Sequence, residues 1–77
     1  MKYRLLETVV LDRDLKKESL RRGDVGTVVE VYEPDGLEVE FVTMGGRTKA
    51  LVTLKVKDVR PIADSDLMAV RSDDRTT

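Results

Sequence analysis

Fifteen carboxylates and fourteen Lys/Arg side chains, with no histidine and no cysteine, are the chemically active groups of this 77-residue sequence. The missing types remove whole mechanisms. Without them there is no thiolate or imidazole zinc site, no Cys or Ser/His triad, no histidine acid–base relay and no disulfide framework. The charges that remain are segregated along the chain. Residues 1–22 hold seven basic and four acidic residues, and residues 23–46 hold six acidic and no basic ones. Residues 47–62 return to five basic and one acidic, and residues 63–77 carry two basic and four acidic. The central block places Glu30, Glu33, Asp35, Glu38 and Glu40 around Tyr32. Such a concentration can act as an electrostatic contact surface for a basic protein partner, with Glu30, Tyr32, Glu38 and Glu40 as the candidate contact residues. The plainer alternative is a solvated strand face on which Lys49, from the adjoining strand, pairs with the acids across the sheet.

A second cluster, Lys16, Lys17, Arg21 and Arg22, falls on the first long polar stretch and could neutralise phosphates. Three aromatics, Tyr3, Tyr32 and Phe41, offer no platform for stacking bases. A net charge of −1 and a pI near 5.4 give no general attraction to nucleic acid or an anionic membrane. Nucleic acid is therefore the alternative partner rather than the first, and no membrane is expected. The same shortage of aromatics argues against a proline-recognising groove. Asp12 with Asp14, and Asp64 with Asp66, lack the glycine and distal glutamate of a calcium loop, and so small a domain has little room for a sugar-holding cleft. They read as solvated turns. Arg22-Gly23-Asp24 spells an integrin-binding tripeptide, but glycine and aspartate are what a bend requires. No cofactor, metal or catalytic residue is expected, and the chain reads as a non-enzyme.

The elements that must position these groups follow from periodicity and turn chemistry. Val9 to Leu11 is a short β-rich run, followed by a long polar loop that ends at Arg21-Arg22-Gly23-Asp24. Thr27 to Tyr32 is the next strand. Glu33-Pro34-Asp35-Gly36 suits a type I turn closing a hairpin through a bulge, with Gly36 free to take positive φ. Leu37 to Phe41 alternates strictly, with Leu37, Val39 and Phe41 on one face and Glu38 and Glu40 on the other. Gly45-Gly46 marks a second hairpin into Thr48–Leu54, where alternation leaves open which of Leu51 and Val52 points inward. Lys57-Asp58 is a single helical turn before Val59 to Ile62, where Pro61 belongs at a strand end or sheet edge. The inward set is Val10, Val29, Val31, Val39, Phe41, Val52 and Leu54. Residues 63–77 read as a polar tail, frayed or docked, in which Ser65 could cap a short helix around Leu67 to Val70.

One early strand, a long loop, three hairpin-linked strands, a helical turn and a last short strand give an all-β, SH3-like small barrel of about five strands over residues 1–62, with a short C-terminal tail. Arg22-Gly23-Asp24-Val25-Gly26-Thr27-Val28-Val29-Glu30-Val31 resembles the glycine-valine core of KOW motifs, found in SH3-like domains of ribosomal proteins and transcription elongation factors. A wider likeness runs over residues 7–62 through Val10 to Leu15, Arg22 to Tyr32, Val39 to Phe41, Gly46 to Thr48 and Leu54 to Pro61. In these segments the chain is similar to a family of small bacterial domains of unknown function, many of them cyanobacterial. The resemblance implies a small stand-alone protein and supplies no activity. The charged N-terminus has no apolar signal region, so a cytoplasmic location is expected. The expected function is a small binding module acting through a protein–protein contact, of the kind antitoxins and immunity proteins make with a basic target. A KOW-like RNA- or ribosome-associated module is the alternative, and an accessory subunit of a larger enzyme the third reading.

Overall fold

Short runs of β-branched residues broken by turn chemistry produce five strands and almost no helix. The computed structural model describes residues 2–42 and 46–66. The strands are β1 (Thr8–Leu11), β2 (Val25–Tyr32), β3 (Gly36–Val42), β4 (Thr48–Lys55) and β5 (Val59–Pro61). They form one sheet of order β4-β3-β2-β1-β5, and every neighbouring pair is antiparallel. The all-β class and the strand succession agree with the sequence reading. Lys16–Glu18 adds a single 3₁₀ turn to the long loop, and Val56–Asp58 supplies the turn expected at Lys57-Asp58.

The strand with the clearest alternation anchors the core. Leu37, Val39 and Phe41 are buried, and Tyr3, Val9, Leu11, Leu20, Val28, Leu54 and Val59 close around them. Three of the expected core positions, Val29, Val31 and Val52, are only half-buried. Val29 yields its place to Val28 because the β2–β3 register shifts between Val28 and Glu30. That bulge inserts one residue and reverses the phase of the strand. Val28 then faces Val39 and Val31 faces Leu37, so Val31 packs against the core from a half-buried position. Val10 is fully buried yet outside the core cluster, since Val9 and Leu11 on either side of it point inward. Val52 is the inward residue of its pair and packs on the core half-buried, while Leu51 is 57% exposed.

Two glycines have distinct reasons. Gly23 sits at φ 99°, where an L side chain is strained, and turns the loop into β2. Gly26 lies inside β2, where a Cβ would come within 2.7 Å of Val39 Cγ1 and 2.9 Å of Phe41 Cε1, so its role is close packing rather than the turn. Gly36 is also not at positive φ. It opens β3 against Tyr32, and the Glu33–Pro34 peptide before it is cis.

Beyond β5, Asp64–Asp66 start a helical turn. Asp66 closes its first turn: its Oδ2 accepts the Ala63 N–H at 2.7 Å. The same carboxylate takes both Nη atoms of Arg60, at 2.8 and 2.9 Å, in a bidentate pair. The Arg60 bond, followed by the Ala63 N–H, lowers its pKa to about 2. This part of the expected tail is tied to the sheet. The apolar group Leu67 to Val70, and Gly45 of the second hairpin, lie outside the described residues.

Candidate functional site

Register brings the acidic candidates together. Across β2, β3 and β4, Glu30 stands opposite Glu38 and Glu38 opposite Thr53, while Thr27 stands opposite Glu40 and Glu40 opposite Leu51. All of these lie on the face turned away from Val39 and Phe41. Two like charges directly opposite cost stability unless something compensates them. The compensation comes from hydroxyls. Glu38 Oε1 accepts from Thr53 Oγ1 at 2.7 Å and from Tyr32 OH at 3.4 Å, and Glu40 Oε2 accepts from Thr48 Oγ1 at 2.6 Å. Glu30 Oε1 accepts the Val31 N–H at 3.3 Å. Loss of hydration, then the charge and hydrogen bond of Glu38 and the charge of Glu30, raise the Tyr32 phenol above its usual pKa of 10.

The expected cross-strand partner of these acids is placed elsewhere. Lys49 sits where the β3–β4 register shifts, since Phe41 faces Ala50 but Val42 faces Thr48, so it has no residue opposite it on β3. Its ammonium donates to the Ser19 carbonyl at 2.9 Å. Ion pairs join Arg13 to Asp58, Arg22 to Asp12, Lys55 to Asp35 and Arg60 to Asp66, and none of these four includes Glu30, Glu38 or Glu40. Exposed apolar side chains share this face. Val25, Val42 and Leu51 fall on it by alternation, beside the half-exposed Tyr32 ring. Sequence reasoning did not select these three as contact residues, because alternation gave no choice between Leu51 and Val52. At the hairpin end of the face, Tyr32, Glu33, Asp35, Thr53, Leu54 and Lys55 line an open groove of about 320 Å³.

The basic candidates form a separate feature. The loop folds through acids of its own: Asp14 accepts the Arg22 N–H at 2.9 Å, Asp24 accepts the Arg21 N–H at 2.9 Å, and Asp12 pairs with Arg22 Nε at 3.1 Å. These bonds account for Asp12 and Asp14 as structural groups. Leu15 bridges to Leu20, which plugs the core from the loop. Lys16, Lys17, Arg21 and Arg22 are all exposed, and Lys16 and Arg21 line a second groove of about 370 Å³ with Asp14, Ser19 and Leu20. No group of three or more potential metal ligands occurs among the described residues, and no helix there is long and apolar enough to cross a membrane.

Comparison with known proteins adds a family. No curated protein and no solved structure matches the chain. Residues 5–61, which run from the turn before β1 to the end of β5, match the family described as Domain of unknown function (DUF4926), and the chain belongs to that family.

Proposed function

We propose that this domain is a non-enzymatic, SH3-like binding module that takes a basic protein partner on the outward face of β2, β3 and β4. The observation that carries the reading is the grouping of Glu30, Glu38 and Glu40 beside exposed Tyr32, Val42 and Leu51, with hydroxyls donating to Glu38 and Glu40 and a backbone N–H to Glu30. Carboxylates held by neutral donors keep their charge available to steer and orient a cationic surface, and the apolar side chains between them supply area to bury. In its sharper form the partner is a basic toxin or nuclease that the domain neutralises in the cytoplasm.

The alternative, a KOW-like RNA- or ribosome-associated module, rests on the exposed Lys16, Lys17, Arg21 and Arg22 and the groove beside them. It draws less support. Arg22 is paired with Asp12, and no aromatic lines that groove.

The test is the double substitution Glu38→Lys with Glu40→Lys. The melting temperature should move little, because the hydroxyl bonds lost are exposed and the change at Glu38 also removes its like-charge opposition to Glu30. Capture of basic proteins from the native lysate should fall by about tenfold or more as like charges meet across the contact. Full retention of every captured protein makes the face a solvated surface. If charge reversal at Arg21 and Arg22 abolishes a salt-sensitive affinity for single-stranded RNA, the alternative takes its place.

A further inference from the structure

Beyond the acidic face, the sheet has an edge that no described strand covers. We propose that the free edge of β4 is a strand-addition site for an extended segment of a partner protein, apolar at its centre and acidic at its ends. Among the described residues β4 is bonded only to β3, and its eight residues leave an unpaired row of backbone donors and acceptors. The opposite edge is blunted. β5 has three residues and ends in Pro61, which offers no N–H, and its Arg60 is clamped by Asp66.

The core is also incomplete under β4. Val39 and Phe41 of β3 are fully buried, whereas Val52 and Ala50 opposite them on β4 remain half-buried. A strand laid beside β4 with small apolar side chains facing inward would cover both. Lysines usually protect such an edge. Here both lie at the ends of the strand, Lys49 reaching the Ser19 carbonyl at 2.9 Å and Lys55 reaching Asp35 at 3.7 Å, so their charges flank the run between them without covering it. Ala50 to Leu54 is left open, about 17 Å of strand.

Charge selects the occupant. A second copy pairing antiparallel must set outward residues opposite outward ones, so its two-fold axis passes through a residue of β4. Only a centre at Val52 overlaps the whole open run Ala50 to Leu54, and it opposes Lys49 to Lys55 on both sides of the axis. That arrangement repeats a like-charge pair by symmetry, and centres nearer either end overlap less of the run, which together disfavour self-association. Lys49 and Lys55, on either side of Ala50–Leu54, fit acidic residues at the two ends of a foreign strand.

The probe is a short acetylated peptide of alternating threonine and valine with glutamate at both ends, compared with a twin ended by lysine and with a version N-methylated along one edge. Each is titrated against the intact chain and followed by amide hydrogen exchange and chemical shift. The glutamate-ended peptide should slow exchange at alternate amides of residues 49–55 by about tenfold and bind about fivefold more tightly than the lysine twin, and N-methylation should abolish both effects. The proposal is overturned if β4 amides do not respond at millimolar peptide, or if the two twins bind β4 equally. It is also overturned if β4 becomes protected as the concentration of the chain alone is raised, for then a second copy holds the edge. A response to the lysine twin confined to Glu30, Glu38 and Glu40 would support the acidic-face reading while removing this one.

Discussion

Gly26 carries the tightest steric requirement in the domain. Its missing Cβ leaves room for Val39 and Phe41, which are buried and have nowhere to move, and the Glu40 carbonyl stands 3.0 Å from the same point. Gly26→Ala should therefore lower the unfolding free energy by about 1–3 kcal/mol, measured by urea denaturation, as overpacking in a closed core does. At Gly23 the same substitution meets no atom, and its cost arises from the backbone conformation alone. Tyr32 reports on the acidic face in a different way. Its neutral phenol donates to Glu38, so ionising it places a third negative charge beside Glu38 and Glu30. Followed by the ring ¹³Cζ resonance, Tyr32 should titrate above pH 10, and Glu38→Gln should bring the midpoint back toward that value. An unchanged midpoint would mean that Glu38 does not govern the phenol.

Among the elements, β2 shows how far alternation can be read and where it stops. The strict pattern of Leu37, Val39 and Phe41 identified β3, its inward face and the outward placement of Glu38 and Glu40 from sequence alone. The Val28-Val29 pair could not be resolved in that way, since two adjacent valines fit one inward place equally well and only the partner strand selects between them. The bulge selects Val28. Val28→Ala should cost about 1.5–3 kcal/mol, the value of a fully buried valine. Val29→Ala should cost under about 1 kcal/mol, as expected away from the core. Equal costs in thermal or urea unfolding would show that the register is wrong. The partners of the acids were hidden for a related reason. Thr53 and Thr48 reach Glu38 and Glu40 through β3–β4 pairing, and Lys49 is removed from them by a one-residue shift that leaves no mark in composition.

The whole molecule is small enough for single side chains to decide whether it folds. A chain of this size buries only about 60% of its unfolded surface. Phe41 is the largest fully buried side chain. Phe41→Ala should cost about 3–5 kcal/mol against a total of only about 5 kcal/mol for a marginal domain, so the variant should melt far below the parent and keep at most about 2 kcal/mol at room temperature, measured by circular dichroism. A variant that melts like the parent would remove Phe41 from the centre of the core. At this scale the segregation of charge was legible in the sequence, as a wholly acidic stretch between two basic ones. The open edge of β4 was not, because it depends on which strand lies last in the sheet.

The bidentate bond between Arg60 and Asp66 sets a physical limit to the folded unit that differs from the one family likeness draws. Similarity ends at Pro61, yet the guanidinium on β5 is satisfied by a carboxylate five residues further on. A chain cut after Pro61 would keep all five strands and release Arg60 beside the buried Val10, with its hydrogen bonds returned to water. For grafting, fusion or circular permutation, a cut at the family boundary therefore breaks this clamp, and a junction that keeps it falls no earlier than Asp66.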